Sequence, residues 1–385
     1  MMRVEVNRLP YDGFKEISLR ASLLNAVRSF SFTTASTDFG DFRLKVGNSI
    51  RIYVDEQLRL DGFIEKLQRT QSAGQDLFTL AGRTKTGDLI DSSIDSRVQF
   101  RGKQSLRTVA ETLIGYLENS IVPGAAPLPA IIAPAIEPFI KVAIDEDIED
   151  FRDDEDLNEE PGQKYIEIIE KFARKRSVLV TTNGNGDLVF TRGRGNSPSP
   201  FVIRNTADNQ NNNILKEMSV SYDGTKRFNV YRAASQPARG DISKLSEITP
   251  ENLILTSDFV IDPNIRTTRQ KYLIAENPSS QNDCQDRTRW EAVKIQSESI
   301  IYDVLMQGHS LGENVWDSNI AVNVLDDYAD INGKMLVRDV IFRESESGGS
   351  TTKLVCVNPG AYAFPEIPVQ EQIGNRYSDL PLGFF

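Results

Sequence analysis

The chain has 385 residues, 39% of them apolar and 26% charged, with one histidine, two cysteines and a formal net charge of −11. That length exceeds what one typical core fills and predicts several domains. Two cysteines, Cys284 and Cys356, exclude a disulfide framework or a four-cysteine zinc site and fit a reducing compartment, and the opening MMRVEVNRLPYDGF lacks the apolar run of a secretory signal, so the chain is expected to stay in the cytoplasm where it is made.

In the first hundred residues apolar side chains alternate. Val46, Ile50, Ile52 and Val54 fall on one face, and after a turn at Asp55-Glu56 so do Leu58, Leu60 and Ile64. After a break at Ser72-Ala73-Gly74, QDLFTLAGR reads as another strand, and the set predicts a small antiparallel barrel or sandwich. SLRTVAETLIGYL then places Leu106, Val109, Ala110, Leu113, Ile114 and Leu117 at helical spacing. The uncharged stretch 119 to 136 has the length of a membrane span, but Pro123, Pro127, Pro129 and Pro134 forbid a continuous helix, so an extended loop and no membrane segment are expected.

Charge is concentrated next. Residues 145 to 160, DEDIEDFRDDEDLNEE, hold eleven carboxylates and one arginine, a net of −10 out of the chain's −11. The remainder is close to neutral and has no Lys/Arg run, which argues against sequence-specific nucleic-acid binding. The acidic stretch is expected to be a solvated insertion, since burial would strand many carboxylates. From Gly162 a second helical segment follows, with Tyr165, Ile168, Ile169, Phe172 and Ala173 as its stripe and Arg174, Lys175 and Arg176 in its last turn, where the helix dipole favours cations. A hairpin through Asn183-Gly184-Asn185-Gly186 completes an α+β module. Further on, KEMSVSYDGTKRFNVYRAAS predicts a hairpin about Asp223-Gly224, residues 236 to 284 read as irregular, and strands separated by Asn332-Gly333 and Gly348-Gly349 close the β region. The Pro-punctuated end reads as an arm.

Chemical signatures are few. The acidic run offers no EF-hand register, because the sixth residue is Asp150 or Asn158 where a glycine is required; a nonstandard divalent site at Asp153, Asp154 and Asp156 is the alternative to a solvated loop. Glycoside hydrolysis needs one acid in an apolar cleft and a partner at fixed separation, which a run of mutually repelling acids does not supply. His309 reads as a polar residue at a strand end and Cys356 as a buried thiol. The glycines of 184 to 186 and 193 to 195 read as turns, because no Lys-Ser/Thr or following helix completes a phosphate loop. No cofactor is expected. The candidate partner-contact residues are Phe384, Phe385 and Tyr377 in the arm, with Asp153, Asp154 and Asp156 in the acidic stretch.

Four stretches in this order carry a resemblance to the baseplate hub proteins of Mu-type contractile-tailed phages, a family related in fold to larger myophage hubs and to the N-terminal part of type VI secretion spikes. They are VGNSIRIYVDEQLRLDGFIEKL with GRTKTGDLIDSS, SLRTVAETLIGYL, GQKYIEIIEKFARKRSVLVTTNGNGDLVFTRG, and VWDSNIAVNVLDDYADINGKMLVRDVIFRESESGGSTTKLVCVNPGAY. The acidic insertion departs from the family pattern. The resemblance implies an α+β, mainly β chain: a first β-barrel at 1–98, an α+β module at 99–196, a second β-barrel at 197–235 plus 285–358, an irregular insertion at 236–284 packing with the module, and an extended C-terminal arm at 359–385. It further implies a non-enzymatic virion protein of the tail baseplate, a homotrimer whose six barrels form a pseudo-sixfold ring between the tail tube protein and the central spike protein. Tape measure and baseplate wedge proteins are further partners in this reading. The rival expectations are a tail-associated peptidoglycan hydrolase and a secretion-spike component or host-surface adhesin.

Overall fold

The computed structural model describes residues 1–385 except 36–43, 73–74, 97, 101–102, 120–138, 146–147, 152–157, 209–211, 236–255, 276–280 and 364–385. The first β region contains β1 (Met2–Val6), β2 (Leu9–Tyr11), β3 (Phe14–Ser22), β4 (Ser29–Ala35), β5 (Ser49–Val54), β6 (Gln57–Ser72) and β7 (Gln75–Thr84). Alternation works as expected along β5, where Ile50, Ile52 and Val54 are buried between half-buried neighbours. Val46 does not join them; it precedes the strand and is exposed. The β5–β6 turn is set by Asp55 and Glu56, whose φ values of 45° and 63° suit the twist of a tight hairpin.

The central module contains α1 (Gly87–Asp91), β8 (Val98–Gln99), α2 (Leu106–Asn119), β9 (Val142–Ile144), β10 (Asn158–Glu159), α3 (Tyr165–Lys175), β11 (Leu179–Thr182) and β12 (Leu188–Thr191). The Ser105 hydroxyl accepts from the Thr108 amide at 3.0 Å and caps α2, satisfying one of the free donors of its first turn. The helical stripes read from sequence meet in one core: Val109, Leu113, Ile169 and Phe172 pack with Leu188 and Phe190 of the small sheet β11-β12-β9.

The last part contains β13 (Val202–Asn205), β14 (Ile214–Tyr222), β15 (Val230–Ser235), β16 (Val260–Ile261), β17 (Gln270–Ala275), α4 (Gln281–Ser297), β18 (Ile300–Gln307), β19 (Ser310–Leu311), β20 (Asn314–Val315), β21 (Ile320–Asp326), β22 (Ile331–Ser345) and β23 (Gly349–Val357). Four expectations change here. The Asp223-Gly224 hairpin does not form: β14 pairs antiparallel with β18, and β15 pairs instead with β16 and β17. Segment 236–284, read as irregular, carries β16, β17 and the start of α4. The turn expected at Asn332-Gly333 is displaced upstream, Asp330 taking φ 53° while Asn332 and Gly333 pair with Leu325 and Val324. Finally, α4 occupies the start of segment 285–358, expected to belong to the second β-barrel. It is sandwiched: Trp290 faces Leu336, Val357 and Tyr362, while Ala292, Val293 and Ile295 face Tyr231 and Val260. A helix covered on two sides needs no single apolar stripe, so its sequence lacks the amphipathic period.

The two β regions are one sheet. Its order runs β14-β18-β23-β22-β3-β4-β7-β6-β5-β1-β2, with β21 and β13 branching from β22. The seam is β3 against β22, antiparallel from Ser22 opposite Asp339 to Glu16 opposite Ser345. One core follows from one sheet, and Ile17, Phe32 and Ile52 share it with Trp316, Val337 and Phe342. The class is mainly β with an α+β module; no closed barrel forms among the described residues.

Candidate functional site

A largely buried convergence of charged side chains lies where the three parts of the chain meet. Arg28, between β3 and β4, is buried and extends its guanidinium across the junction. It donates to the carbonyls of Thr182 at 3.3 Å and Arg59 at 3.2 Å, and pairs with Asp317 at 3.0 Å. Arg59 of β6 pairs with the same carboxylate. Two cations around one anion, largely out of water, hold only if each donor finds an oxygen. Burial pulls the Arg59 guanidinium below its ordinary range, with Asp317 opposing and Arg28 adding to the shift. No sequence signal marked Arg28, Arg59 or Asp317: single charged residues near strand ends are commonplace, and only the fold brings them together.

A second seam runs from the module into the last part. Gly193 donates its amide to the Tyr362 carbonyl at 2.9 Å, and a Cβ on Gly193 would stand 1.8 Å from the Ala361 carbonyl oxygen. At Gly195 a Cβ would meet the Pro359 carbonyl oxygen at 2.3 Å. These glycines, read as turn residues, serve close backbone approach.

The acidic stretch departs from its expected character as a solvated insertion. Phe151 is fully buried, edge-on to Phe172 at 5.9 Å, with the Arg176 guanidinium 4.2 Å from its ring centroid. Arg176 also donates to the carbonyls of Glu149 and Asp150 at 3.0 Å and 3.1 Å. Downstream, β10 pairs with β8, and the buried Glu159 carboxylate accepts from Lys171 Nζ at 2.6 Å. Asp145 lies 3.5 Å from Arg194 and Asp150 lies 3.5 Å from Lys103. The stretch is thus pinned on both sides of residues 152–157. Asp153, Asp154 and Asp156 lie outside the described residues, as do Tyr377, Phe384 and Phe385 and nearly all of the Pro-rich stretch. Among the described residues no cluster of three or more His, Cys, Asp or Glu side chains has metal-binding geometry.

His309 is buried beside β19, between Thr352 Oγ1 at 3.1 Å and Glu344 Oε2 at 3.4 Å, and edge-on to Phe342. Burial is the largest influence on it and lowers its pKa, the N-terminal ammonium adds to that, and Glu344 and Asp55 oppose. Both cysteines are buried, and burial raises the Cys356 thiol far above its ordinary range. The described residues therefore present interlocking ion pairs and backbone seams, an arrangement that holds parts of a chain in fixed relation. Among them no helix is long and apolar enough to cross a membrane.

Residues 124–192 match the second domain of the family described as baseplate hub protein gp44-like. Over 378 residues the chain is 21% identical to the baseplate hub protein gp44 of Escherichia phage Mu, covering 95% of this chain and 89% of that one. Two solved structures share the fold: the 43 kDa tail protein of prophage MuSo2 from Shewanella oneidensis (TM-score 0.71, 19% identity, 93% and 98% coverage) and a tail protein from Neisseria meningitidis (0.73, 18%, 94% and 97%). A more distant likeness is an Escherichia coli component of the type VI secretion system (0.51, 10%, 97% and 78%). The chain therefore resembles the Mu-type baseplate hub proteins over nearly its whole length, as its motifs led one to expect.

Proposed function

We propose that this relative of the Mu-type hub proteins is a structural, non-enzymatic component of a phage tail baseplate, working in the virion through its interfaces. Three copies would assemble around one axis. Each would contribute a first β unit (1–98) and a second (197–235 plus 285–358), so that six similar surfaces meet a sixfold tail tube while the threefold assembly meets a central spike. The α+β module (99–196) and the arm (359–385) would complete each copy.

The observation that carries this reading is the β3–β22 seam, closed by the Arg28–Asp317–Arg59 cluster, in a chain aligned with the Mu hub over nearly all its length. A ring of alternating units keeps its order only if the two units of one copy hold a fixed relation. A continuous ladder of backbone hydrogen bonds supplies that rigidity.

Solution mass by light scattering at high protein concentration tests the assembly. A trimer with six-lobed particles in averaged electron micrographs is expected. A strict monomer, or an assembly of any other order, overturns it.

A further inference from the structure

The two halves of the large sheet repeat one pairing plan. Neighbours in the first half run β3-β4-β7-β6-β5-β1, and in the second β14-β18-β23-β22-β21-β13. Corresponding strands also follow each other in the same order along the chain. One pair differs in direction: β13 lies parallel to β21, whereas β1 is antiparallel to β5. The irregularities agree, since β6 shifts register against β7 between Ile64 and Lys66, and β22 against β23 between Val337 and Asp339. Lys66 therefore corresponds to Asp339. Following the pairs outward, through Gly82, Phe30 and Leu19 in one half and Cys356, Tyr302 and Val220 in the other, matches β3 residues 16–22 with residues 217–223.

One contact in the plan has no counterpart. Beyond Val337, where β21 ends, the flank of β22 is filled by β3. The equivalent flank of β6, beyond its pairing with β5 at Phe63, faces no strand among the described residues. Neither does the outer edge of β14, the counterpart of β3. Side chains show the difference. Val340 and Ala21, opposite each other in the internal seam, are fully buried, whereas their counterparts Leu67 and Tyr222 are 37% and 53% exposed.

We infer that β14 of one copy pairs antiparallel with residues 66–72 of a second copy, an inference that rests on the ring reading above. Each copy supplies the edge that the other lacks, and the β3–β22 seam shows how edge and flank of this kind fit. Transferred from that seam, the register sets Lys66 opposite Asp223, Leu67 opposite Tyr222 and Gln68 opposite Ser221. A cation then meets an anion and two exposed apolar side chains cover each other, both favourable cross-strand pairs. Open strand edges are templates for such addition. Because edge and flank are different surfaces, the contact is heterologous, and it closes into a ring when rotation brings the last copy back to the first.

Disulfide trapping in the full chain decides it. The natural Cys284 and Cys356 are buried, so paired cysteines at exposed positions report the contact. Gln68→Cys with Ser221→Cys should give, on oxidation, covalent dimers and trimers and nothing larger on non-reducing gels. Gln68→Cys with Glu217→Cys, four positions or about 13 Å out of register, should crosslink at least tenfold less. Lys66→Asp should shift the light-scattering mass toward monomer, and adding Asp223→Lys should restore it. Equal yields from the two cysteine pairs, no crosslink in a protein that is trimeric by light scattering, or no recovery in the charge swap would overturn this contact and leave the trimer standing. A strict monomer before any substitution would overturn the hub reading and this contact with it.

Discussion

Arg28, seated between the third and fourth strands, reaches Asp317, 289 residues further along the chain, at 3.0 Å, and Arg59 shares the same carboxylate. The triad ties three parts of the chain at a point largely shut off from solvent. Removing its single anion leaves two cations facing each other. Asp317→Ala is therefore expected to cost about 3–5 kcal/mol, the range for stranding a buried charge, read as a fall in the urea midpoint. Arg28→Met and Arg59→Met combined with Asp317→Leu should recover a large part of that loss, because both cations leave with the anion and apolar contact replaces the triad; a triple variant as unstable as Asp317→Ala would refute the charge argument.

Phe151 makes the acidic stretch part of a core. Phe151→Ala should destabilise the protein by about 3–5 kcal/mol through the cavity left against Phe172 and Arg176. Asp150→Asn, which removes only an exposed pairing with Lys103, should cost under about 1 kcal/mol. Thermal or urea unfolding separates the two; equal small effects would return the stretch to a solvated loop.

Gly193 has no room for a methyl group, since the nearest atom is a backbone oxygen that cannot turn aside. Gly193→Ala should cost about 2 kcal/mol or more by forcing apart segments 193–195 and 359–362. Gly224→Ala, where a Cβ meets nothing within 4 Å, should change stability by less than about 0.5 kcal/mol. Urea midpoints with unchanged slopes are the measurement.

The buried His309 imidazole predicts a pH dependence. Its folded pKa lies below the ordinary value near 6.5, so the unfolded chain takes up the proton first as pH falls. Its stabilising contribution is complete above about pH 6.5 and declines as pH drops below that value toward the lowered folded pKa. Urea midpoints at pH 7.5 and 5.5 should differ more in the natural chain than in His309→Gln, and equal differences would show that the imidazole does not contribute.

Much of the local structure was legible. The stripe from Leu106 to Ile114 and that from Tyr165 to Ala173 predicted α2 and α3, because each helix buries one side against one core. Asp55-Glu56 marked a hairpin turn through its tolerance of positive φ. By contrast α4 alternates its loyalties between Tyr362 and Tyr231, and its buried positions include Cys284, Thr288 and Gln296, so no period stood out. Phe151 was hidden by its carboxylate neighbours, whose backbone carbonyls turned out to be what Arg176 holds.

The sequence alone determined element type wherever one face meets one core, the concentration of net charge between 145 and 160, and, by the order of its motifs, a resemblance to phage baseplate hubs. Only the tertiary structure decided which strands pair beyond the hairpins of β5–β6 and β11–β12. It turned Asp223-Gly224 from a hairpin into a crossing between two sheets, joined β3 to β22, and gathered Arg28, Arg59 and Asp317 around one point. The reason is physical: turn propensity and hydrophobic period act over a few residues, whereas strand partnership and charge pairing depend on surfaces that segments hundreds of residues apart present to each other only after folding.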